Sequence, residues 1–135
     1  MTKRTMRLTT LAAVLLLGLL LAGVVVAAPT SVTIAGSFQS ELGCTGGSGG
    51  DWDPACAITH LTYDAGDDVW QGTFNVAAGP QEYKAALNDG WAESHPANNL
   101  ALAGTGAAVK FYYDDKTKFV SDSTRLIIVA VGNWQ

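Results

Sequence analysis

From residue 31 onward, apolar and polar positions alternate with a period of two over short runs, and turn residues break the runs every ten positions or so. In VWQGTFNV (69–76), Trp70, Gly72, Phe74 and Val76 share one side, while Val69, Gln71, Thr73 and Asn75 share the other. The first set predicts a core face. In EYKAAL (82–87), Tyr83, Ala85 and Leu87 point inward and Glu82, Lys84 and Ala86 outward. In VKFYYD, Val109, Phe111 and Tyr113 are the inward set. The pattern predicts strands at 31–35, 57–63, 69–76, 82–87, 100–103, 109–113, 119–121 and 126–131. DAGDD (64–68), AAGP (77–80) and DDK (114–116) supply turn chemistry between them. Helical periodicity is almost absent. The expectation is an all-β chain, an immunoglobulin-like antiparallel β-sandwich of about seven to eight strands.

The first residues follow a different pattern. Lys3, Arg4 and Arg7 precede an uncharged apolar run from Leu11 to Val26, and Val25-Val26-Ala27 places small residues where a signal peptidase cuts. Residues 1–27 therefore read as a secretory signal peptide and 28–135 as a single β-sandwich module. A cut after Ala28 would leave Pro29 at the new N-terminus, which disfavours it. The alternative is an uncleaved anchor, for which the run falls short of the ~20 residues that span a bilayer. A faint repeat is also present: VTIAGSFQ (32–39) aligns with IVAVGNWQ (128–135), either as the start of a second copy or as two strands that each run into a turn.

Charge narrows the partners. Three of the eight basic residues lie in the leader, so residues 28–135 carry five against twelve acidic ones, a net charge of −7. Such a surface repels nucleic acid and, once the leader is gone, anionic membranes. It suits a neutral partner such as a sugar, or a cation. Two cysteines in an exported chain pair as Cys44–Cys56, and a ring of that size contributes about 3 kcal/mol in the loop-entropy picture. No C-x-x-C motif supports a redox role.

Few motifs carry chemistry. GGSGG (46–50) lacks the Lys-Ser/Thr of a phosphate loop. His60 and His95 stand apart from any ligand-spaced Cys or His, and DAGDD lacks the alternating acids of an EF-hand, so neither a metal nor a cofactor is expected. The chain has no G-x-S-x-G and no pair of acids singled out by its pattern, which argues against an enzyme. What remains is aromatic. Trp52 lies between Asp51 and Asp53 in a glycine-rich loop, and Trp91 follows Asn88-Asp89-Gly90. An indole face stacks on the C–H face of a pyranose, and nearby amides, carboxylates and a lysine bind its hydroxyls. The competing role for each loop tryptophan is to cap an open end of the sandwich.

The strings GSFQSELGC, GDWDPAC, LTYDAGDDVWQGTFNV, GPQEYKAALNDGW and FYYDDKTKFVSD together resemble the Cys-containing sandwich modules found in tandem in bacterial pullulanases and amylopullulanases. The resemblance runs from about Ser31 to Asp122. More distantly, the layout is similar to starch- and glycogen-binding modules, including the glycogen-binding domain of AMP-activated protein kinase, with their G-S-F start and Y-K…D-G-x-W centre. That likeness implies a sugar platform in which Trp52 is the first tryptophan, Lys84 the contacting lysine and Trp91 the second tryptophan. Asn98 or Asn99 stands nearest to the contacting asparagine, and Asn99 is the expected contact. QSELGCTGGSGGD separates Phe38 from Trp52, and the disulfide would clamp this insertion.

Two readings follow. The first is a secreted, non-catalytic accessory module that binds α-glucan, working beside a separate secreted amylase or pullulanase. The second is a structural spacer or partner-docking sandwich, a detached copy of a tandem array that binds no sugar.

Overall fold

Alternating burial along the middle strands shows how this chain folds. In β6 (Ala108–Asp114) Val109, Phe111 and Tyr113 are buried and the residues between them are not. In the computed structural model, which describes residues 27–125, seven strands form two antiparallel sheets. The first sheet has the order β1 (Val32–Gly36), β4 (Gly79–Leu87), β5 (Ser94–Gly104). The second has the order β2 (Thr62–Asp64), β3 (Val69–Asn75), β6, β7 (Phe119–Asp122). Among the described residues there is no α-helix, only short 3-10 turns at Ser40–Leu42 and Ala57–Thr59. Residues 1–26 of the leader, the expected strand 126–131 and the second copy of the repeat at 128–135 lie outside the described residues.

The two sheets meet over an aromatic centre. The Phe111 ring has Tyr83 edge-on at 4.9 Å, with Phe38 at 5.8 Å and Phe74 at 5.9 Å stacked against it. Val32, Ile34, Val76, Leu87 and Leu102 complete the buried cluster. Burying a side chain of this size stabilises a fold by about 1.5–3 kcal/mol each, so this cluster supplies most of the driving force. Trp70, expected in the core, lies at its margin: it packs against the cluster and remains partly exposed.

A buried carboxylate ties the sheets together. Asp122, at the end of β7, accepts hydrogen bonds from the Thr124 hydroxyl, Tyr83 Oη (2.6 Å), the Thr124 amide (2.9 Å) and Arg125 Nε (3.0 Å). Burial pushes its pKa up, but these donors outweigh burial and hold it below the usual carboxylate range. The Tyr83 hydroxyl is pushed well above its ordinary value, first by burial and then by its bond to Asp122.

Two expectations change. The strand expected at 57–63 is a 3-10 turn over Ala57–Thr59, and only Thr62–Asp64 is extended as β2. Thr59 is buried there, and its hydroxyl is a hydrogen-bond partner of Gln39 and Cys56, which a regular strand would not allow. The strand expected at 100–103 begins at Ser94, because β5 pairs with β4 on both sides of a large bulge. Ala85 pairs with His95 and Tyr83 with Leu100, so residues 96–99 stand opposite Lys84 alone.

Candidate functional site

Of the predicted site residues, Lys84 stands on β4 and Asn99 on β5, while Trp52 and Trp91 lie in loops beside the ends of the β1–β4 pair. Trp52 enters at one end. Its amide donates to the carbonyl of Gly36 (3.1 Å), the last residue of β1, beside Tyr83 in the register. The loop that delivers it is closed by the Cys44–Cys56 disulfide, with Cα atoms 5.8 Å apart. Inside the ring, the Ser48 amide donates to Asp51 O (2.7 Å) and the Gly50 amide to Gly46 O (2.8 Å). Gly50 has φ +101°, and a Cβ there would fall 2.4 Å from the Cys44 carbonyl, so only glycine fits.

Gln39 holds this loop from below. Its side chain is fully buried and makes four hydrogen bonds. Oε1 accepts from the amides of Gly36 (3.2 Å) and Asp53 (2.8 Å), while Nε2 donates to Asp53 O (3.0 Å) and Thr59 Oγ1 (2.8 Å). The Asp51 carboxylate accepts the Ser40 amide (2.8 Å), and the Asp53 carboxylate accepts the Ala55 amide (3.0 Å). The acids that flank Trp52 are therefore bonded to the loop backbone. Trp52 itself is half-buried and has φ +55°, a left-handed conformation that bulky residues avoid. Conformations of this kind persist only where neighbours over-determine them, as Gln39 and the disulfide do here.

Lys84 sits in the middle of β4, on the side opposite Tyr83 and Ala85, as expected. Its ammonium donates to Ala97 O (3.0 Å) in the bulge, which leaves two of its three N–H groups for a ligand. Asn99 lies in the same bulge and donates to Glu82 Oε2 (3.2 Å). The bulge therefore gathers Glu82, Lys84 and Asn99, whereas Asn98 makes no side-chain bond among the described residues.

Trp91 lies at the far end, past Leu87, in the turn between β4 and β5. It is 45% exposed. Asn88 and Asp89 both take left-handed φ, and the turn is bonded to the start of β1. Asn88 N donates to Ser31 O (3.0 Å), Asn88 Oδ1 accepts the Thr30 amide (2.8 Å) and Asp89 Oδ1 accepts Ser31 Oγ (2.5 Å). Glu93 closes the turn. It pairs with His95 (3.0 Å) and Lys118 (3.6 Å), and the hydrogen bond with His95 is the main cause of its lowered pKa. Trp91 is thus an exposed indole on a fixed backbone.

Residues 31–120 match the family model described as the pullulanase X25 domain. The chain belongs to that family. Over 91 residues, 62% of its length, it is 32% identical to an amylopullulanase of Thermoanaerobacterium saccharolyticum. Over 103 residues, 73% of its length, it is 34% identical to one of Thermoanaerobacter thermohydrosulfuricus. In each case the match spans only 7% of the relative. Among solved structures, a pullulanase from Bacillus acidopullulyticus superposes with a TM-score of 0.63 at 31% identity, over 73% of this chain and 12% of that one.

The G-S-F-Q string of this X25 domain is structural throughout. A Cβ on Gly36 would fall 2.6 Å from the Glu82 carbonyl. Ser37 exchanges bonds with Glu82 and with Gln81 Oε1 (2.6 Å). Phe38 stacks on Phe111, and Gln39 holds the Cys loop. Sequence reasoning missed Gln39, because an isolated glutamine beside a loop carries no signal of full burial. It also missed a groove beside Trp70, since alternation alone assigned that residue to the core.

Proposed function

We propose that this X25 domain is a secreted, non-catalytic accessory module that binds α-glucan of the starch, glycogen or pullulan type. The observation that carries this reading is Trp91, an exposed indole on a turn bonded at both ends, which follows the strand that bears the Lys84 ammonium, while the half-buried Trp52 is bonded to the Gly36 end of β1. An aromatic face of this kind covers the C–H face of a sugar ring at little entropic cost when its backbone is already fixed. Lys84 adds a charge-assisted hydrogen bond to a hydroxyl, worth about 1.5–3 kcal/mol. The names of the relatives, amylopullulanase and pullulanase, support the ligand class, and the disulfide fits export to an oxidising compartment. Cleavage after Ala27 and action beside a separate secreted amylase or pullulanase belong to the same proposal.

The spacer reading has one observation in its favour. Asp51, Asp53 and Asn99 already spend hydrogen-bonding capacity within the domain, which thins the polar part of the platform. Native gel migration in soluble starch or pullulan separates the two. The α-glucan reading expects retardation of the wild-type protein and at least tenfold weaker retention for Trp91→Ala and Lys84→Ala, with unfolding free energies within about 1 kcal/mol of wild type. Equal migration with and without polysaccharide leaves the spacer reading standing.

A further inference from the structure

A second aromatic surface lies on the other sheet. Tyr63 of β2 and Trp70 of β3 are directly opposed in the register, with ring centroids 5.5 Å apart and planes tilted by 53°. Tyr63 is 47% exposed. With Pro29 they form the apolar floor of a groove of about 430 Å³, and Asp68, Asp115 and Lys116 line its rim. This is within the volume range of small-ligand sites, with room for one or two sugar rings.

The rim is polar, and both of its carboxylates are paired. Asp68 accepts from Tyr63 Oη (2.6 Å) and from Lys116 Nζ. Asp115 accepts from Lys118 Nζ (2.6 Å) and Tyr113 Oη (2.9 Å). Each of these two carboxylates has a lysine partner, so the rim presents fixed acceptors and donors side by side. A neutral molecule with one apolar face and a ring of hydroxyls matches both floor and rim. Fixed carboxylates accept from hydroxyls and the ammonium groups donate to them. Lys118 also reaches Glu93 (3.6 Å) in the Trp91 turn, so this groove and Trp91 share one end of the molecule.

We propose that the Tyr63–Trp70 groove is a second pyranose-binding site, which seats a glucose unit of an α-glucan on its two rings. The ligand class rests on the preceding reading, whereas the residues are separate from Trp52, Lys84 and Trp91. The two sites therefore fail independently. The test is a titration of 15N-labelled, disulfide-intact protein with maltohexaose, followed through the tryptophan indole N–H resonances. Trp70→Phe and Trp91→Phe assign the two signals that matter. The expected result is a saturable shift of the Trp70 signal that survives in Trp91→Ala. In Tyr63→Leu, which keeps bulk but loses the ring, the site should weaken at least tenfold while the rest of the spectrum stays in place. If the Trp91 signal moves and that of Trp70 does not, this second site is refuted and the first stands. If only Trp70 moves, the groove stands and the Trp91 platform falls. If neither signal moves at tens of millimolar sugar, both are refuted.

Discussion

Replacing Gln39 by alanine tests the structural account of the Cys loop most directly. The substitution deletes four hydrogen bonds in a fully buried position: the Gly36 and Asp53 amides lose their side-chain acceptor, and Asp53 O and the Thr59 hydroxyl keep only long bonds to the Cys56 backbone (3.4 Å each). A net loss of about 1 kcal/mol per bond gives roughly 3–5 kcal/mol once the cavity is added, because buried partners left unsatisfied cost their desolvation. For a domain of this size each kcal/mol moves the melting temperature by about 4–8 °C, so a drop of about 15 °C or more is expected. Urea unfolding followed by circular dichroism gives the free energy, and hydrogen exchange at the Asp53 amide reports the loop locally. Gln81→Ala is the matched control. Its side chain is only partly buried and makes two bonds, to Ser37 Oγ and Ala77 O, so it should cost no more than about 1.5 kcal/mol. A Gln39→Ala variant that loses less than 1 kcal/mol, or whose Asp53 amide stays protected, would show that the disulfide alone positions Trp52.

Two further outcomes are expected. Cys44→Ser should lower stability by about 2–4 kcal/mol, and natively purified wild-type protein should titrate no free thiol. Asp122→Asn should flatten the acid limb of the stability profile. The folded-state pKa of Asp122 is lowered, so its contribution is complete above the ordinary aspartate value of ~3.9 and is lost as the pH falls through the depressed one. Urea midpoints measured from pH 7 to pH 2 should therefore fall more steeply for wild type than for the variant, and parallel curves would contradict the assignment.

Much of the fold was legible because β4 and β6 bury alternate positions, Tyr83, Ala85 and Leu87 in one and Val109, Phe111 and Tyr113 in the other, which leaves a period of two in EYKAAL and VKFYY; Ala86, expected outward, is buried as well, and no residue of β3 is fully buried. The Cys44–Cys56 bridge was equally legible, since two cysteines allow one pairing. Residues 57–61 misled because AITHL is rich in β-formers, whereas tertiary demand from Gln39 and Cys56 turns Thr59 inward. The N-terminal half of β5 was hidden because Pro96, Asn98 and Asn99 belong to loops by composition, and only pairing across the bulge makes them part of a strand. The turn position of Trp91 and the side of β4 that Lys84 takes were readable from turn chemistry and alternation. The roles of Asp51 and Asp53 were not, because a carboxylate that caps backbone amides looks the same in sequence as one that awaits a ligand.

The bulge opposite Lys84 also bears on how copies of such a domain coexist. β5 is the outer strand of its sheet, and a long, regular outer strand is a template on which a neighbouring chain can add its own. Residues 96–99 interrupt that template near its middle, with a proline that has no N–H to offer. At the opposite edge, Leu61 N donates to Val32 O (2.7 Å) and His60 bridges Thr33, so β1 is partly covered by its own chain. Neither edge offers an uninterrupted row of backbone donors and acceptors. Similar folded units can then lie side by side at high local concentration with little tendency to merge these sheets into aggregates.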